Sequence, residues 1–321
     1  MAQSVLVTGA TGFVGGAILR RIIKEKKYSV VAALREISPS LVEEVGTVRF
    51  STLDGTTSWK GCFADTRVVI HSAARVHVMS DTEKDPLLAF RKVNVEGTLN
   101  LARQAFAAGV SRFIFISSIK VNGEATIPPH AYEADGQLSP SDPYGISKME
   151  AEVALRELAV EMGREVVIIR PVLVYGPGVK ANFLSMMRWL DKGVPLPFGA
   201  IHNRRSLVSI DNLVDLVLTC VDHPAAANQT FLVSDGEDLS TTMLLRKMSQ
   251  ALNAPTRLIP IPSWILQTGA GLLGKKALSQ RLCGSLQVDI SKTRSLLGWT
   301  PPVGVNEALK ATALHFQEHQ K

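Results

Sequence analysis

Cysteine is scarce in this sequence, which has Cys62, Cys220 and Cys283 in 321 residues. The three lie far apart and match no metal-site or disulfide spacing, so we expect no bound metal and a reducing compartment, the cytoplasm. Long hydrophobic runs are missing too: no apolar stretch reaches the roughly 20 residues that a transmembrane helix needs. An apolar strand pattern starts within a few residues of Met1, so we also expect no secretion signal.

Strong charge of one sign is also missing. The chain has 35 Lys and Arg against 29 Asp and Glu, a formal net charge of +6. The basic residues are scattered and not grouped with aromatic residues, so we expect no nucleic-acid partner. We interpret the positive charge as a solvated surface that also favours an anionic small substrate.

A glycine turn stands near the start of the chain, with Gly9, Gly12 and Gly15 at three-residue spacing. An apolar run at 4–7 precedes it, and a helical pattern with one apolar face follows. Strand, glycine turn and helix form the first unit of a dinucleotide-binding domain, where a pyrophosphate approaches the backbone and the helix start. The residues that we expect at the cofactor here are Gly9, Thr11, Gly12, Phe13, Val14 and Gly15.

The end of the second predicted strand, 28–34, bears on the choice of cofactor. An Asp or Glu at this place binds the ribose hydroxyls of NAD, but here Leu34 is followed by Arg35 and then Glu36. A guanidinium binds a 2′-phosphate through charge-assisted hydrogen bonds, so Arg35 favours NADP(H). NAD(H) is the alternative cofactor, because the carboxylate of Glu36 would accept its ribose hydroxyls.

Two more predicted strands, 48–53 and 68–74, continue the alternation of strands and helices. The second ends in Ala73 and Ala74, whose small side chains let a cofactor backbone pass close. His71 within it is interpreted as a core residue, and the role of His77 is left open.

The predicted catalytic residues are Ser118, Tyr144 and Lys148. Ser118 follows the strand 112–116, at the end where ligands bind in parallel sheets. Tyr144 and Lys148 are four residues apart and therefore share one helix face, next to the cofactor. An ammonium and an oxidised nicotinamide both lower the tyrosine pKa from its reference value near 10, which suits an acid or base. Ser118 would hold the substrate oxygen that changes charge.

This combination resembles the extended short-chain dehydrogenase/reductase superfamily and its NAD-dependent epimerase/dehydratase family, over nearly the whole chain. The resemblance implies an α/β fold, a Rossmann-type doubly wound parallel sheet with a smaller C-terminal substrate lobe. We expect the dinucleotide-binding domain at 1–177, with a return of 206–234 to the sheet. The substrate lobe is expected at 178–205 and 235–321.

The resemblance also implies further site residues. Asp54 would meet the adenine amino group, and Pro171 would lie at the nicotinamide face. The substrate would be a UDP-sugar. The candidates for binding it are Lys120, Asn182, Arg205 and Arg281, the two arginines at its diphosphate.

The positions at which this chain departs from the family pattern exclude some of the family's reactions. Dehydratases carry an Asp-Glu pair where this chain has Ile119 and Lys120, so we exclude dehydration. Enzymes that epimerise both C3 and C5 use a cysteine and a histidine as acid and base, and no cysteine of this sequence follows a strand near the site. The stretch 117–124 is similar to bacterial polysaccharide-cluster reductases of UDP-2-acetamido-2,6-dideoxy-hexos-4-ulose, which act in O-antigen precursor synthesis. We therefore predict NADPH-dependent reduction of a C4 ketone. The alternatives are a UDP-hexose or UDP-N-acetylhexosamine 4-epimerase with tightly bound NAD, and a cofactor-sensing regulator, which the complete triad disfavours.

Two surfaces complete the predictions. Helices 87–108 and 143–160 resemble those of the family's four-helix dimer interface, so we expect a homodimer. The apolar segment 264–273 is too short to span a membrane, and we interpret it as core packing or a subunit contact.

Overall fold

Short runs rich in β-branched residues form a central parallel sheet. The computed structural model describes residues 4–36, 45–76, 85–272, 280 and 282–319. The strands of this sheet are β1 (Ser4–Thr8), β2 (Ser29–Leu34), β3 (Gly46–Arg49), β4 (Thr66–His71), β5 (Arg112–Ile116), β6 (Glu165–Pro171) and β9 (Thr230–Val233). Their order is β3-β2-β1-β4-β5-β6-β9, and every neighbouring pair is parallel. This is the predicted Rossmann-type sheet.

Both faces of the sheet are buried, as β1 illustrates. Val5 and Val7 belong to one hydrophobic cluster and Leu6 to another on the opposite face. Successive side chains of a strand point to opposite faces, so a strand covered on both sides is apolar throughout. The helices that cover the sheet and build the rest of the chain are α1 (Phe13–Glu25), α2 (Pro86–Arg91), a π-helical turn (Lys92–Gly97), α3 (Thr98–Ala107), α4 (Pro143–Met162), α5 (Ala181–Asp191), α6 (Ile210–Asp222), α7 (Thr241–Leu252), α8 (Ser263–Leu272), α9 (Ser291–Leu297) and α10 (Val305–His319).

A second, three-stranded sheet accompanies a third hydrophobic cluster. Its strands are β7 (Leu173–Tyr175), β8 (Arg205–Ser209) and β10 (Asp238–Leu239), in the order β10-β8-β7. Of the segment expected to return to the central sheet, β9 pairs with β6, whereas β8 pairs within the small sheet. The division into a dinucleotide-binding domain and a substrate lobe stays a prediction.

The third strand differs from its predicted range of 48–53, because β3 ends at Arg49. The loop that follows satisfies its backbone with side chains. Thr57 Oγ1 donates to the Thr52 carbonyl at 2.7 Å, and Thr56 N donates to the Asp54 carboxylate at 3.0 Å. Such local side-chain bonds compete with strand pairing and end the strand early.

The described side chains of helix α8 belong to none of the three hydrophobic clusters, so the core packing expected for 264–273 is wrong for them. Trp264 is 66% exposed and Ile265 is 43% exposed. The helix is ten residues long. Among the described residues, none of the helices combines the length and hydrophobicity needed to cross a membrane.

His71 is a core residue, as expected. Its Nδ1 lies 2.7 Å from Thr8 Oγ1 and its Nε2 lies 3.0 Å from Thr98 Oγ1, so β1, β4 and α3 meet at this ring. Burial, together with the nearby charge of Lys148, lowers the pKa of His71 to about 3. Between about pH 6.5 and pH 3 the native ring therefore stays neutral, whereas a free histidine is charged.

We expect His71 to make the chain sensitive to acid. Between about pH 6.5 and pH 3 the unfolded chain binds one proton more at this residue than the native chain. The free energy of unfolding therefore falls by about 1.4 kcal/mol for each pH unit below 6.5, and does not change from this cause above it. Urea unfolding from pH 7.5 to pH 4.5 measures this slope. His71→Gln keeps a polar partner for both threonines, and its slope should be shallower. Equal slopes for the two proteins would contradict the account.

Candidate functional site

The site lies where the strand order of the central sheet reverses, between β1 and β4. In open parallel sheets, ligands bind in the crevice beyond the carboxyl ends of the strands at such a reversal. Gly9, Ser72 and Ser117 directly follow β1, β4 and β5, and therefore lie at this edge.

The glycine turn after β1 packs tightly against its own chain. Gly9 has a φ of +70°, in the left-handed region that glycine adopts at no steric cost. A Cβ on Gly15 would lie 2.2 Å from the Gly9 carbonyl oxygen, and a Cβ on Gly9 would lie 2.7 Å from Ser72 Oγ. These two glycines are thus required by the turn itself, and not merely by a pyrophosphate that approaches it.

The start of α1 offers backbone donors to an anion. Gly12 is its N-cap, and among the described residues no side chain bonds to the cap. The N–H groups of Phe13 and Val14 are then among the first-turn donors that a helix cannot satisfy internally. Thr11 beside them is exposed. An uncapped helix start after a glycine turn fits a dinucleotide pyrophosphate.

The residues that would discriminate between cofactors lie beyond β2 and β3. Arg35 and Glu36 are both exposed, so their accessibility favours neither NADP(H) nor NAD(H). Hydrogen bonds from Thr56 lower the pKa of Asp54 to about 2. The Asp54 carboxylate thus stabilises its own turn, and its contact with adenine stays a prediction.

Small side chains line the crevice next to the glycine turn. Ala73 and Ala74 follow β4 and are partly exposed, and Ala73 N donates to Thr8 Oγ1 at 3.3 Å. Pro171 ends β6, which is separated from β4 by β5 alone. The structure thus places all three at the carboxyl edge of the sheet.

Ser118 and Tyr144 begin two neighbouring helical elements. Ser118 caps the 3-10 turn Ile119–Val121, and its Oγ accepts a hydrogen bond from Lys120 N at 3.3 Å. Tyr144 lies in the first turn of α4, whose N-cap is Asp142. Both residues therefore have a backbone fixed by capping.

Lys120 joins these two elements. Its Nζ donates to Asp142 and, at 3.0 Å, to Glu124 Oε1. Gly145 lies so close that a Cβ would be 2.9 Å from the Lys120 carbonyl oxygen. The segment that carries Ser118 therefore packs directly against the first turn of α4. Lys120, expected to bind substrate, has its ammonium bound to two carboxylates.

Lys148 is buried, whereas Tyr144 beside it on the same helix is partly exposed. Lys148 is 1% exposed, and its Nζ lies 4.0 Å from the centroid of the Phe115 ring. The Tyr144 ring meets the edge of Phe90 with the ring centroids 6.0 Å apart. One face of α4 thus presents both predicted catalytic side chains, and the ammonium of the lysine lies in a low-dielectric environment.

Burial decides the protonation of this pair. It raises the pKa of Tyr144 to about 12, with a smaller contribution from the charge of Asp142. It lowers the pKa of Lys148 to about 7, against the opposing effect of Glu152. In the chain alone, the tyrosine is therefore a neutral proton donor. The lower pKa that we expected from the lysine would need the added charge of an oxidised nicotinamide.

A buried ion pair lies one helical turn beyond Lys148, the predicted catalytic lysine, and it was not predicted from the sequence. Arg170 Nε donates to Glu152 Oε1 at 2.9 Å and Arg170 Nη2 donates to Glu152 Oε2 at 2.5 Å. Ser117 Oγ also donates to Glu152, and Arg170 Nη1 donates to Asn122 Oδ1 at 3.0 Å. Since Glu152 is four residues after Lys148, this network fixes the face of α4 that carries Lys148 against β5 and β6.

Asn94 is a second residue without a predicted role. It is 1% exposed within the π-helical turn, a distortion that is frequent at functional sites. Its Nδ2 donates to the Arg75 carbonyl and to Ser147 Oγ, each at 3.0 Å, and Ser147 Oγ donates to the Tyr144 carbonyl at 2.8 Å. Asn94 therefore links the crevice after β4 to the helix of Tyr144. A polar residue within an apolar helical stripe was the signal for it.

The other substrate candidates are not all described. Asn182 is exposed in the first turn of α5. Arg205 begins β8, and its Nη1 donates to the Gly284 carbonyl at 3.1 Å. Arg281 and His77 lie outside the described residues. Binding of a sugar nucleotide by these residues stays a prediction.

The Rossmann-type sheet and the Ser–Tyr–Lys set at its carboxyl edge are typical of the short-chain dehydrogenase/reductase class. Within this class, residues 5–234 match the family described as "NAD dependent epimerase/dehydratase family". The chain belongs to this family.

Similar proteins agree with the family. A UDP-glucose 4-epimerase from Vibrio cholerae is 50% identical over 320 residues, which cover 98% of this chain and 96% of that protein. A UDP-glucose 4-epimerase structure from Thermotoga maritima, with UDP-glucose, has a TM-score of 0.79 at 22% identity, covering 99% of this chain and 100% of its own. A UDP-glucuronic acid 4-epimerase from Bacillus cereus, in complex with NAD, has a TM-score of 0.78 at 22% identity and the same coverage.

Proposed function

We propose that this chain is a UDP-sugar 4-epimerase that acts on UDP-glucose or a UDP-N-acetylhexosamine and retains NAD. The similarity to the Vibrio cholerae UDP-glucose 4-epimerase, at 50% identity over 98% of the chain, carries the proposal. It favours the epimerase, one of the alternatives drawn from the sequence, over the NADPH-dependent 4-reductase. The complete set of Ser118, Tyr144 and Lys148 supports an enzyme rather than a regulator.

Bound NAD would supply an acceptor and donor of hydride at C4 of the sugar. Tyr144 would take the proton of the C4 hydroxyl as the C4–H bond breaks, and return it when that bond forms again on the other face of the sugar. Ser118 would hold the C4 oxygen throughout, because its hydroxyl both donates and accepts hydrogen bonds. Lys148 would stabilise the tyrosinate and hydrogen-bond the ribose of the cofactor. Gly9, Thr11, Gly12, Phe13, Val14 and Gly15 would hold the pyrophosphate.

The proposal makes turnover independent of added cofactor. The purified chain, incubated with UDP-glucose or UDP-N-acetylglucosamine alone, should produce the C4 epimer, which the proton coupling at C4 identifies by NMR. The test for the reductase is a 4-keto-6-deoxy UDP-sugar with NADPH. Stoichiometric oxidation of NADPH with that substrate, and no epimer in the first reaction, would contradict the proposal.

We expect NAD, and not NADP, to be released when the purified chain is denatured. Of the two exposed residues after β2, Glu36 would accept the ribose hydroxyls of NAD, so Glu36→Ala should weaken NAD binding by about ten- to a hundredfold. Arg35→Ala is the matched control and should leave NAD binding nearly unchanged. Mass spectrometry of the released nucleotide and titration of both variants measure this. If NADP were released, or Arg35→Ala lost the cofactor, Arg35 would bind a 2′-phosphate as first predicted.

We retain the homodimer as part of the proposal. The two helical regions expected at its interface expose apolar side chains: Leu88 is 60% exposed, Val153 47% and Val160 85%. Burial of these side chains against a second copy would remove apolar surface from water.

A further inference from the structure

Lys120 contacts both segments that carry the predicted acid and its serine partner, and the proposed reaction gives it no role. Its backbone N–H donates to Ser118 Oγ at 3.3 Å. Its ammonium donates to Asp142, two positions before Tyr144, and at 3.0 Å to Glu124 Oε1. One residue is therefore bonded to the serine through its backbone and to the start of the tyrosine's helix through its side chain.

Asp142 uses its two carboxylate oxygens on different partners. Its Oδ1 accepts a hydrogen bond from Gly145 N at 2.7 Å, which caps α4, and its Oδ2 accepts from the Lys120 ammonium. The Asp142 carbonyl also accepts from Ile146 N at 2.9 Å. Tyr144 lies between Asp142 and the residues that Asp142 holds, so the backbone of the tyrosine follows the position of the cap. The same carboxylate thus couples the start of α4 to Lys120.

The ion pair between Lys120 and Asp142 is suited to hold two segments together. The two side chains are only 27% and 23% exposed, and a partly buried pair is screened less by salt than a pair on the surface. A hydrogen bond between two charged groups is also stronger than one between neutral groups. The segments touch at this point, since a Cβ on Gly145 would lie 2.9 Å from the Lys120 carbonyl oxygen. A change in the pair would therefore be transmitted from one segment to the other.

We propose that Lys120 is a positioning residue, which acts through Asp142 to set the distance between the hydroxyls of Ser118 and Tyr144. The inference rests on the proposed function, in which both hydroxyls act on the same C4 oxygen. Reacting groups must be held close to their productive geometry, and a misplacement of about 1 Å can cost a hundredfold in rate. A direct contact of Lys120 with the substrate, the expectation from the sequence, is the alternative outcome of the test.

Steady-state kinetics of Lys120→Met test the proposal, because methionine removes the ammonium and keeps most of the side chain. The kcat for epimerisation of UDP-glucose should fall by about ten- to a hundredfold, while KM changes by less than about twofold. Lys120→Arg keeps the charge and can bond to both carboxylates, so it should recover most of the rate. Glu124→Gln is the matched control. Glu124 lies four residues from Lys120 in the same segment, so its loss leaves the link to α4 intact and should leave kcat nearly unchanged.

A double-mutant cycle tests whether Lys120 acts through Asp142. Asparagine caps a helix as well as aspartate does, so Asp142→Asn keeps the cap of α4 and removes the charge. It should slow the reaction about as much as Lys120→Met, and the combined variant should be no slower than either. The charge of Asp142 raises the pKa of Tyr144, so the two single substitutions would shift that pKa in opposite directions. A fall in the pH-independent kcat of both variants would therefore reflect position and not charge.

Three results would overturn the positioning role: an unchanged kcat in Lys120→Met, losses that multiply in the combined variant, or a raised KM with normal kcat, which would indicate a substrate contact. Far-UV circular dichroism verifies folding, and Asp142→Asn alone gives the same test if Lys120→Met does not fold. A wild type that does not epimerise would instead reject the proposed function. Reduction of a 4-keto sugar would also use Ser118 and Tyr144, so the same cycle on NADPH oxidation would then test the positioning role by itself. A wild type without either activity would overturn both proposals.

Discussion

Tyr144→Phe will lower kcat by about two to four orders of magnitude, the usual loss when a positioned acid or base is removed. The substitution deletes the hydroxyl and keeps the ring, whose packing against Phe90 needs no oxygen. The amount of bound NAD should therefore be close to that of the wild type. Initial rates of epimer formation, together with the nucleotide content of the purified variant, measure both effects.

Tyr28→Phe is the matched control for this experiment. The Tyr28 hydroxyl donates to Asp222, and the residue directly precedes β2, at the amino end of the sheet, opposite to the site. Removal of this hydroxyl should affect stability slightly and the rate hardly at all. Comparable rate losses in the two variants, or near-normal turnover by Tyr144→Phe, would mean that Tyr144 is not the acid and base.

Arg170→Met will destabilise the fold by about 3–5 kcal/mol, because it leaves the Glu152 carboxylate buried without its partner. The side chains of Arg170 and Glu152 are 3% and 2% exposed. Methionine has a similar length, so the change chiefly removes the charge and its hydrogen bonds. The free energy of unfolding in urea measures the loss.

Arg91→Met is the control for the same chemical change on the surface. Arg91 pairs with Glu150 at 2.6 Å, but the side chains are 44% and 28% exposed. Solvated ion pairs of this kind contribute about 0–1 kcal/mol. Equal losses for the two arginine variants would contradict a special role for the buried pair. If Glu152 also holds in place the face of α4 that carries Lys148, the turnover of Arg170→Met should fall by more than its loss of folded protein explains.

The elements with a local signal were predicted from the sequence. The glycine spacing indicated the turn after β1, and the four-residue spacing of Tyr144 and Lys148 indicated a shared face of α4. The strand Arg112–Ile116 was predicted with its exact bounds, since its apolar run is uninterrupted. In each case the residues that form the pattern lie within a few positions of one another in the sequence.

The remaining features depend on residues that are far apart in sequence. Ser117 and Glu152 meet across 35 positions, and Arg170 and Asn122 across 48. No local pattern indicates such a pairing. The exposure of Trp264 could not be predicted either, because apolar residues also contribute much of a folded protein's surface. The choice between NAD and NADP rested on Arg35 and Glu36, adjacent residues of opposite charge whose accessibility is similar.

The most direct test of the proposed epimerase is the fate of the hydrogen at C4. The purified chain should convert UDP-[4-²H]glucose to UDP-galactose without added cofactor, and the deuterium should remain at C4 of the product. This result follows if one hydride leaves C4 and returns to it while Tyr144 exchanges only the hydroxyl proton. No product without added NADPH, or a product whose C4 hydrogen comes from solvent or from NADPH, would contradict the account.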